Sequence, residues 1–322
     1  MSQEELIEKT FRVPAPARLS LSNIRGSIEI QPGDDDIVNV TAVKHLGTGN
    51  PDRTEIEIRQ VEDGSVSVET RFPEAGFKLF GWRQPCKVDY IVRVPHACSV
   101  KMSGVSCTAS IRGLQGVFDL GTVSGPLSMA DLTGRLRASG VSGSISGVRL
   151  SGPIQLENVS GSAELMESQL SAVVGSTVSG RIVLETPLAE GPYRFKTVSG
   201  AVRLIVPPET GCIVEGSGVS GRLKTSLPTT HSRRSGGHWC VELHGGGPEI
   251  RFSSVSGDLW LVPPDGAAPV ASPLVGGTVA GSQDVAGVTP SVPSTAEDRL
   301  HILDRISRGE LSVENGLAAL DN

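Results

Sequence analysis

The chain is 322 residues long with a formal charge of −6, and it is 38% hydrophobic but only 4% aromatic, with 39 glycines. That length suits two or more folding units, and the glycine-rich, aromatic-poor balance favours many turns and small packing units over one large core. An acidic chain without a dense basic run argues against nucleic-acid binding, which needs a cationic face, and no stretch approaches the ~20 apolar residues of a membrane-spanning helix.

Residues 1–10, MSQEELIEKT, read as a polar tail that lacks the basic start and apolar run of a secretion signal. The five cysteines, Cys86, Cys98, Cys107, Cys212 and Cys240, are odd in number and include no C-x-x-C. A cytoplasmic, reducing setting without a disulfide framework is therefore expected. Residues 11–96 alternate apolar and polar side chains in DIVNVTAV, TEIEIRQV, SVSVET and KVDYIVRV, with Asp63-Gly64 as a hairpin turn. This strand-rich part is expected to cap the repeats that begin at Ala97. Asp34-Asp35-Asp36 lacks EF-hand spacing and reads as an acidic turn. The segment GFKLFGWRQPC gathers Phe77, Phe80 and Trp82, which could anchor a protein partner or a membrane surface, or cover the end of the repeats.

From Ala97 to Ser168 the chain divides without a gap into eight units of nine residues, from ACSVKMSGV to SGSAELMES. Positions four and six are mostly apolar, the alternation of a short strand. Position nine reads Val105, Leu114, Val123, Leu132, Val141, Leu150, Val159, so identity returns every eighteen residues. The expectation is an all-β fold, a parallel β-solenoid over residues 97–263 with about 18 residues and two strands per coil. Lys101, Asp119, Arg137 and Gln155 should then be stacked neighbours, as should Ser110, Ser128, Ser146 and Glu164.

Each Val of the series is followed by Ser and usually Gly, and TVSG is written out at Thr122, Thr177 and Thr197. The glycines are expected to supply positive φ at a repeated corner, and the serines to hydrogen-bond the turn or the next coil. There is no G-x-S-x-G elbow and no His or Asp recurring in step, so a nucleophilic role is set aside. The Val-Ser junction continues at Val178, Val198, Val219 and Val255, and the second end is expected near SGDLWLVPP, with Trp260 covering the last coil.

Between Val219 and Val255 lies SLPTTHSRRSGGHWCVELHGGGP. His238, Cys240 and His244 would share one face of a strand, and these are zinc-ligand types. The alternation Trp239, Val241, Leu243 equally fits a plain strand with polar residues outward. No cofactor and no catalytic residue is implied elsewhere. The carboxylates Asp119, Asp131, Glu157, Glu164 and Glu167 are too dispersed for an acid/base pair.

Residues 264–294, rich in Ala, Gly, Pro and Ser, read as a flexible linker. Residues 295–322 read as an α-helical hairpin: Leu300, Leu303 and Ile306 mark one helix face, Gly309 ends it, and Val313, Leu317 and Leu320 mark a second. So small a hairpin depends on a partner for its apolar face.

The V-S-G coils after a start ending in VDYIVRVP resemble the bacterial putative-adhesin β-solenoid proteins, a family of unknown function, over about Phe11 to Pro264. The segment ILDRISRGELSVENGLAAL resembles the SHOCT-like hairpin that accompanies this domain in some bacterial members. What the resemblance implies is a non-catalytic scaffold or binding protein, with relatives linked to adhesion by name and to envelope-stress control. The expected partner is a protein or a second copy engaged through residues 295–322, with surface contact to a membrane open and nucleic acid excluded. The rival reading is a carbohydrate-binding or carbohydrate-active solenoid.

Overall fold

The structure is a computed structural model that describes residues 3–73 and 84–264. Phe77, Phe80 and Trp82, and the linker and hairpin with Leu303, Ile306, Leu317 and Leu320, lie outside the described residues.

Six strands build the first end: β1 (Glu4–Arg12), β2 (Ala17–Pro32), β3 (Ile37–His45), β4 (Glu55–Gln60), β5 (Val66–Arg71) and β6 (Lys87–Val94). The tail expected at residues 1–10 is thus mostly strand, because Ile7 and Phe11, on one face of β1, pack against the core while β1 pairs antiparallel with β3. Asp63-Gly64 makes the turn between β4 and β5, with Gly64 at φ 79°. The regular coils begin with β7 (Cys98–Arg112), β8 (Gln115–Thr122), β9 (Leu127–Ala130), β10 (Thr133–Gly140), β11 (Ile145–Val148) and β12 (Ser151–Asn158). They continue through β13 (Ser162–Met166), β14 (Gln169–Thr177), β15 (Arg181–Glu185), β16 (Tyr193–Thr197) and β17 (Ala201–Ile205). The second end holds β18 (Cys212–Gly218), β19 (Leu223–Thr225), β20 (Thr229–Ser235), β21 (His238–Leu243), β22 (Glu249–Ser254) and β23 (Leu259–Val262).

The described chain is all-β, with parallel pairing dominant, and it winds as a solenoid. One stack runs β4, β5, β2, β7, β8, β10, β12, β14, β16, β22, β18, β21, β20. The other runs β1, β3, β6, β2, β7, β9, β11, β13, β15, β17, β23, β19. The eighteen-residue period is the register itself: Lys101 pairs with Asp119, Asp119 with Arg137, and Arg137 with Gln155. On the other stack Ser110, Ser128, Ser146 and Glu164 succeed one another.

Inward positions superpose from coil to coil, as in Val100, Phe118, Leu136, Ile154 and Val173, all at most 3% exposed. Burying such a side chain contributes about 1.5–3 kcal/mol, and only a neighbouring coil can bury it. Position nine divides by corner: Leu114 and Leu132 are buried, whereas Val105 and Val123 are 47% and 42% exposed. The alternation of Val and Leu therefore records an outward and an inward corner.

At the outward corner Ser124, Ser142 and Ser160 each give both donors to the valine carbonyl one coil back. The N–H and Oγ of Ser124 reach Val105 O at 2.9 and 3.0 Å, and those of Ser142 reach Val123 O at 2.9 and 3.2 Å. The glycine that follows has a different task from the one expected. Gly125 and Gly143 do not have positive φ, but a Cβ on Gly143 would lie 2.0 Å from Gly125 O, and one on Gly125 would lie 1.7 Å from Cys107 O. Close approach of backbone to backbone selects glycine here, and positive φ does so only at the facing corner, at Gly134 and Gly152. The threonine of TVSG closes the turn from inside: Thr177 and Thr197 Oγ1 accept from Gly180 and Gly200 N–H at 3.0 and 2.8 Å.

The last coil in the chain is not the last in space. β22 lies between β16 and β18, and β23 between β17 and β19. Trp260 therefore covers no end; it faces outward on this inserted coil, with Lys224 Nζ 4.4 Å from its ring centre. The end is closed by the antiparallel β20–β21 hairpin, whose Trp239 and Val241 pack on the core with Leu243 buried beside them. Trp239 occupies the space a side chain at Gly216 would need, and its ring centre lies 6.5 Å from that of Phe252.

Two substitutions separate these effects. Gly143→Ala should destabilise the chain by roughly 1–3 kcal/mol or more, since the methyl has only backbone to displace, while Gly47→Ala, with nothing within 4 Å of the new carbon, should be near neutral. Thr197→Val keeps the shape but strands a buried N–H and should cost about 1–3 kcal/mol. Urea unfolding midpoints would check all three, and equal midpoints for the two alanine variants would contradict the close-approach account.

Candidate functional site

Out-of-order stacking at the second end creates an open cleft of about 580 Å³. Two adjacent cross-strand rows line it. In the first, Arg194 of β16 pairs with Arg251 of β22, Arg251 with Glu215 of β18, Glu215 with Cys240 of β21, and Cys240 with Arg233 of β20. The second row, offset by two residues on each strand, is Lys196, Ser253, Ser217, His238 and Ser235. All ten residues contribute to the cleft, together with Phe195, Gly216, Trp239 and Phe252.

The cleft is cationic within an acidic chain. Arg194, Lys196, Arg233 and Arg251 face one carboxylate, Glu215. Arg251 bonds Glu249 at 2.5 Å and lies 3.7 Å from Glu215. The Arg251 hydrogen bond holds the Glu249 carboxyl below its ordinary value, with the Arg194 charge adding to the effect. Arg194 and Arg251 are direct neighbours on adjacent strands, an arrangement of like charges that opposes pairing unless anions lie nearby.

Of the zinc candidates, His238 and Cys240 share one face of β21 and line the cleft, but His244 lies past the end of that strand, in a turn at φ 49°. Among the described residues no three His, Cys, Asp or Glu side chains come together as a metal site. The strand ends before His244, so the three candidates do not share one strand face. All five cysteines are free thiols, and Cys240 alone is not buried. Burial pushes Cys98 up to about 12 and Cys107 and Cys212 up to about 11, which keeps them protonated and unreactive. Arg194, Lys196, Arg251 and Glu215 did not stand out in the sequence, being ordinary outward strand positions.

The family model described as Toastrack DUF4097 matches residues 17–261. The chain belongs to this family. Among solved structures, a putative adhesin from Parabacteroides distasonis is 13% identical, covers 80% of this chain and 97% of its own, and superposes with a TM-score of 0.39. A putative cell adhesion protein from Clostridium sporogenes is 9% identical over 82% of this chain and 100% of its own, with a TM-score of 0.29. A putative lipid binding protein from the same Parabacteroides species is 12% identical over 80% and 96%, with a TM-score of 0.43. No curated protein matches the chain.

At the other end of this Toastrack protein, four strands meet in a polar latch. His45 of β3 contacts Asp89 of β6 at 2.6 Å through Nε2 and Glu4 of β1 at 3.1 Å through Nδ1, while Ser27 of β2 donates to Asp89 at 2.7 Å. Serine, histidine and aspartate are present, but the hydroxyl is bonded to the carboxylate rather than to the imidazole. The imidazole is thus not placed to activate the serine, and the group ties β1, β3 and β2 to β6.

Burial raises the Asp89 pKa, but hydrogen bonds from Ser27 and His45 and the charge of His45 outweigh it, and the net shift is downward from 3.8. The stabilisation linked to Asp89 is thus complete above that ordinary value and lost as pH falls through the lower folded value. Asp89→Asn should flatten the fall in stability below about pH 4 relative to the unaltered chain. Unfolding midpoints measured from pH 2 to 7 would check this, and parallel curves for the two proteins would refute it.

Proposed function

We propose that this Toastrack protein is a non-enzymatic scaffold or binding protein, in which rigid coils present the end cleft and residues 295–322 recruit a protein partner or a second copy. The observation that carries the reading is the state of the repeated serines. Ser124, Ser142 and Ser160 each direct N–H and Oγ to a valine carbonyl, so the most repeated reactive residue type in the chain is engaged in holding coils together. The cleft supports the same conclusion, because Glu215 and the Glu249 beside it both lie on Arg251, and the Arg251 hydrogen bond holds Glu249 below its ordinary value, whereas a general acid needs a raised one.

The SHOCT-like hairpin, a cytoplasmic setting and a part in envelope-stress control belong to this proposal, as does contact with a membrane surface through Phe77, Phe80 and Trp82. Among the described residues no helix is long and apolar enough to cross a membrane. The carbohydrate-binding alternative is favoured by one observation, the open cleft lined by both cations and hydroxyls.

Removal of residues 295–322 tests the recruiting role. The full chain should retain a specific protein partner in pull-down or elute as an oligomer, and the shortened chain should lose this with its melting temperature unchanged. Identical partners and identical elution for both would defeat the hairpin's assigned role.

A further inference from the structure

We propose that the end cleft binds a stretch of anionic polysaccharide, a uronate-type chain with a carboxylate on successive sugars, and binds it without cleavage. This deepens the binding-protein reading and rests on it.

Spacing sets the shape of the ligand. In-register residues on neighbouring strands stand about 4.8 Å apart, so the row from Arg194 through Arg251, Glu215 and Cys240 to Arg233 spreads its charges over four strand intervals, about 19 Å along the sheet. One small anion cannot engage both ends of such a row. A ligand that satisfies it must be extended and must repeat its charge.

The second row supplies what a sugar chain needs and a continuous polyphosphate does not. Ser253, Ser217 and Ser235 place hydroxyls beside the cations, and Ser217 bonds Ser253 at 3.4 Å, a long contact that sugar hydroxyls can replace. Glu215 stands in the middle of the cleft as an acceptor for a sugar hydroxyl, whereas a polymer charged at every point would be repelled there. Trp239 and Phe252 add apolar surface to the same lining. The side chains of Arg233 and His238 make no hydrogen bond or ion pair among the described residues, so their donors are open to a ligand. Guanidinium forks match carboxylates in a bidentate way; Arg251 already holds Glu249 at 2.5 Å and lies 3.7 Å from Glu215, so Arg194 and Arg233 are the guanidiniums that a ligand carboxylate would engage. Glu215 is the sole carboxylate of the lining; Glu249 beside it is held below its ordinary value by Arg251, whereas the acid of a glycosidase pair has a raised one.

Polygalacturonate oligomers, neutral dextran of similar length and single-stranded DNA would be titrated against the full chain, with Cys240 as reporter. Cys240 is the one cysteine that is not buried, so maleimide should label it and bound polygalacturonate should protect it. Expected are binding of polygalacturonate that weakens with salt, none of dextran, weaker binding of DNA, and no new reducing ends. Arg194→Gln and Arg233→Gln, both at exposed positions, should each lower affinity about tenfold, while Arg59→Gln, in β4 at the far end, should not change it. Absence of binding, equal binding of dextran, DNA binding as tight as polygalacturonate, or binding that leaves Cys240 fully reactive would each overturn the proposal. Shortening of the polymer would overturn the statement that it is not cleaved. A chain lacking residues 295–322 should bind polygalacturonate unchanged, so failure of the cleft and failure of the hairpin are separately visible.

Discussion

The distance between successive coils is set at the V-S-G corner, where the Cα of one glycine rests on the carbonyl oxygen of the glycine below. The contact repeats from Gly125 to Gly143, Gly161, Gly180, Gly200 and Gly257, each leaving a would-be Cβ no more than 2.3 Å from the oxygen beneath. Everything else is arranged to suit that approach. Serine beside the glycine ties the same two coils together by two donors, threonine on the inner side satisfies the glycine N–H, and the inward Leu, Ile and Phe meet their counterparts one coil away. A packed core is then the product of a short local motif, since each coil buries its apolar residues only by contact with the next.

A stack of parallel strands has two open edges, and unpaired edges invite association. Both ends of this protein meet the hazard with antiparallel strands. β1 and β4 close the two stacks at the first end, and β20 closes one stack at the second. β20 is exposed along its whole length and reads TTHSRRS, with charge on an edge where apolar residues would promote further pairing. The second stack finishes on β19, three residues long, too short to template much. Capping and site formation are therefore one event at the second end, because the hairpin that covers the core with Trp239 also carries Arg233, His238 and Cys240 to the cleft.

Much of the solenoid was legible because its constraint repeats. The alternation of Val and Leu at position nine announced eighteen residues per coil, and Lys101, Asp119 and Arg137 are the register neighbours that the period requires. What repetition could not show was order in space. Parallel pairing is equally satisfied if a later coil slips between two earlier ones, and only contact decides. A signal was nevertheless present: RFKTVSGAVRLIVPP, from Arg194, and RFSSVSGDLWLVPP, from Arg251, are close copies of each other, and they are neighbours through the pairs Phe195–Phe252 and Leu204–Leu261. The reason for glycine was also hidden, since a residue chosen for close approach and one chosen for positive φ read alike. His244 was placed on a strand that stops at Leu243, because the Gly-rich turn after it ends the pairing.

The charges of the cleft are a consequence of the same out-of-order stacking. Elsewhere the outer face mixes its signs: Lys101 and Arg137 flank Asp119, Arg137 pairs with Glu157 at 3.2 Å, and Arg149 pairs with Asp131 at 2.6 Å. Had the coils been laid down in sequence order, Arg194 would have met Glu215 across one strand interval, a favourable pair. Insertion of the coil bearing Arg251 separates them and sets two arginines side by side. Arg251 takes over the pair with Glu215 and adds one with Glu249, each worth at most about 1 kcal/mol at an exposed site, while Arg194 is left beside a second arginine where the solenoid ends. An anionic chain laid along the proposed site would meet cations at β16, β22 and β20, with Glu215 of β18 interrupting them.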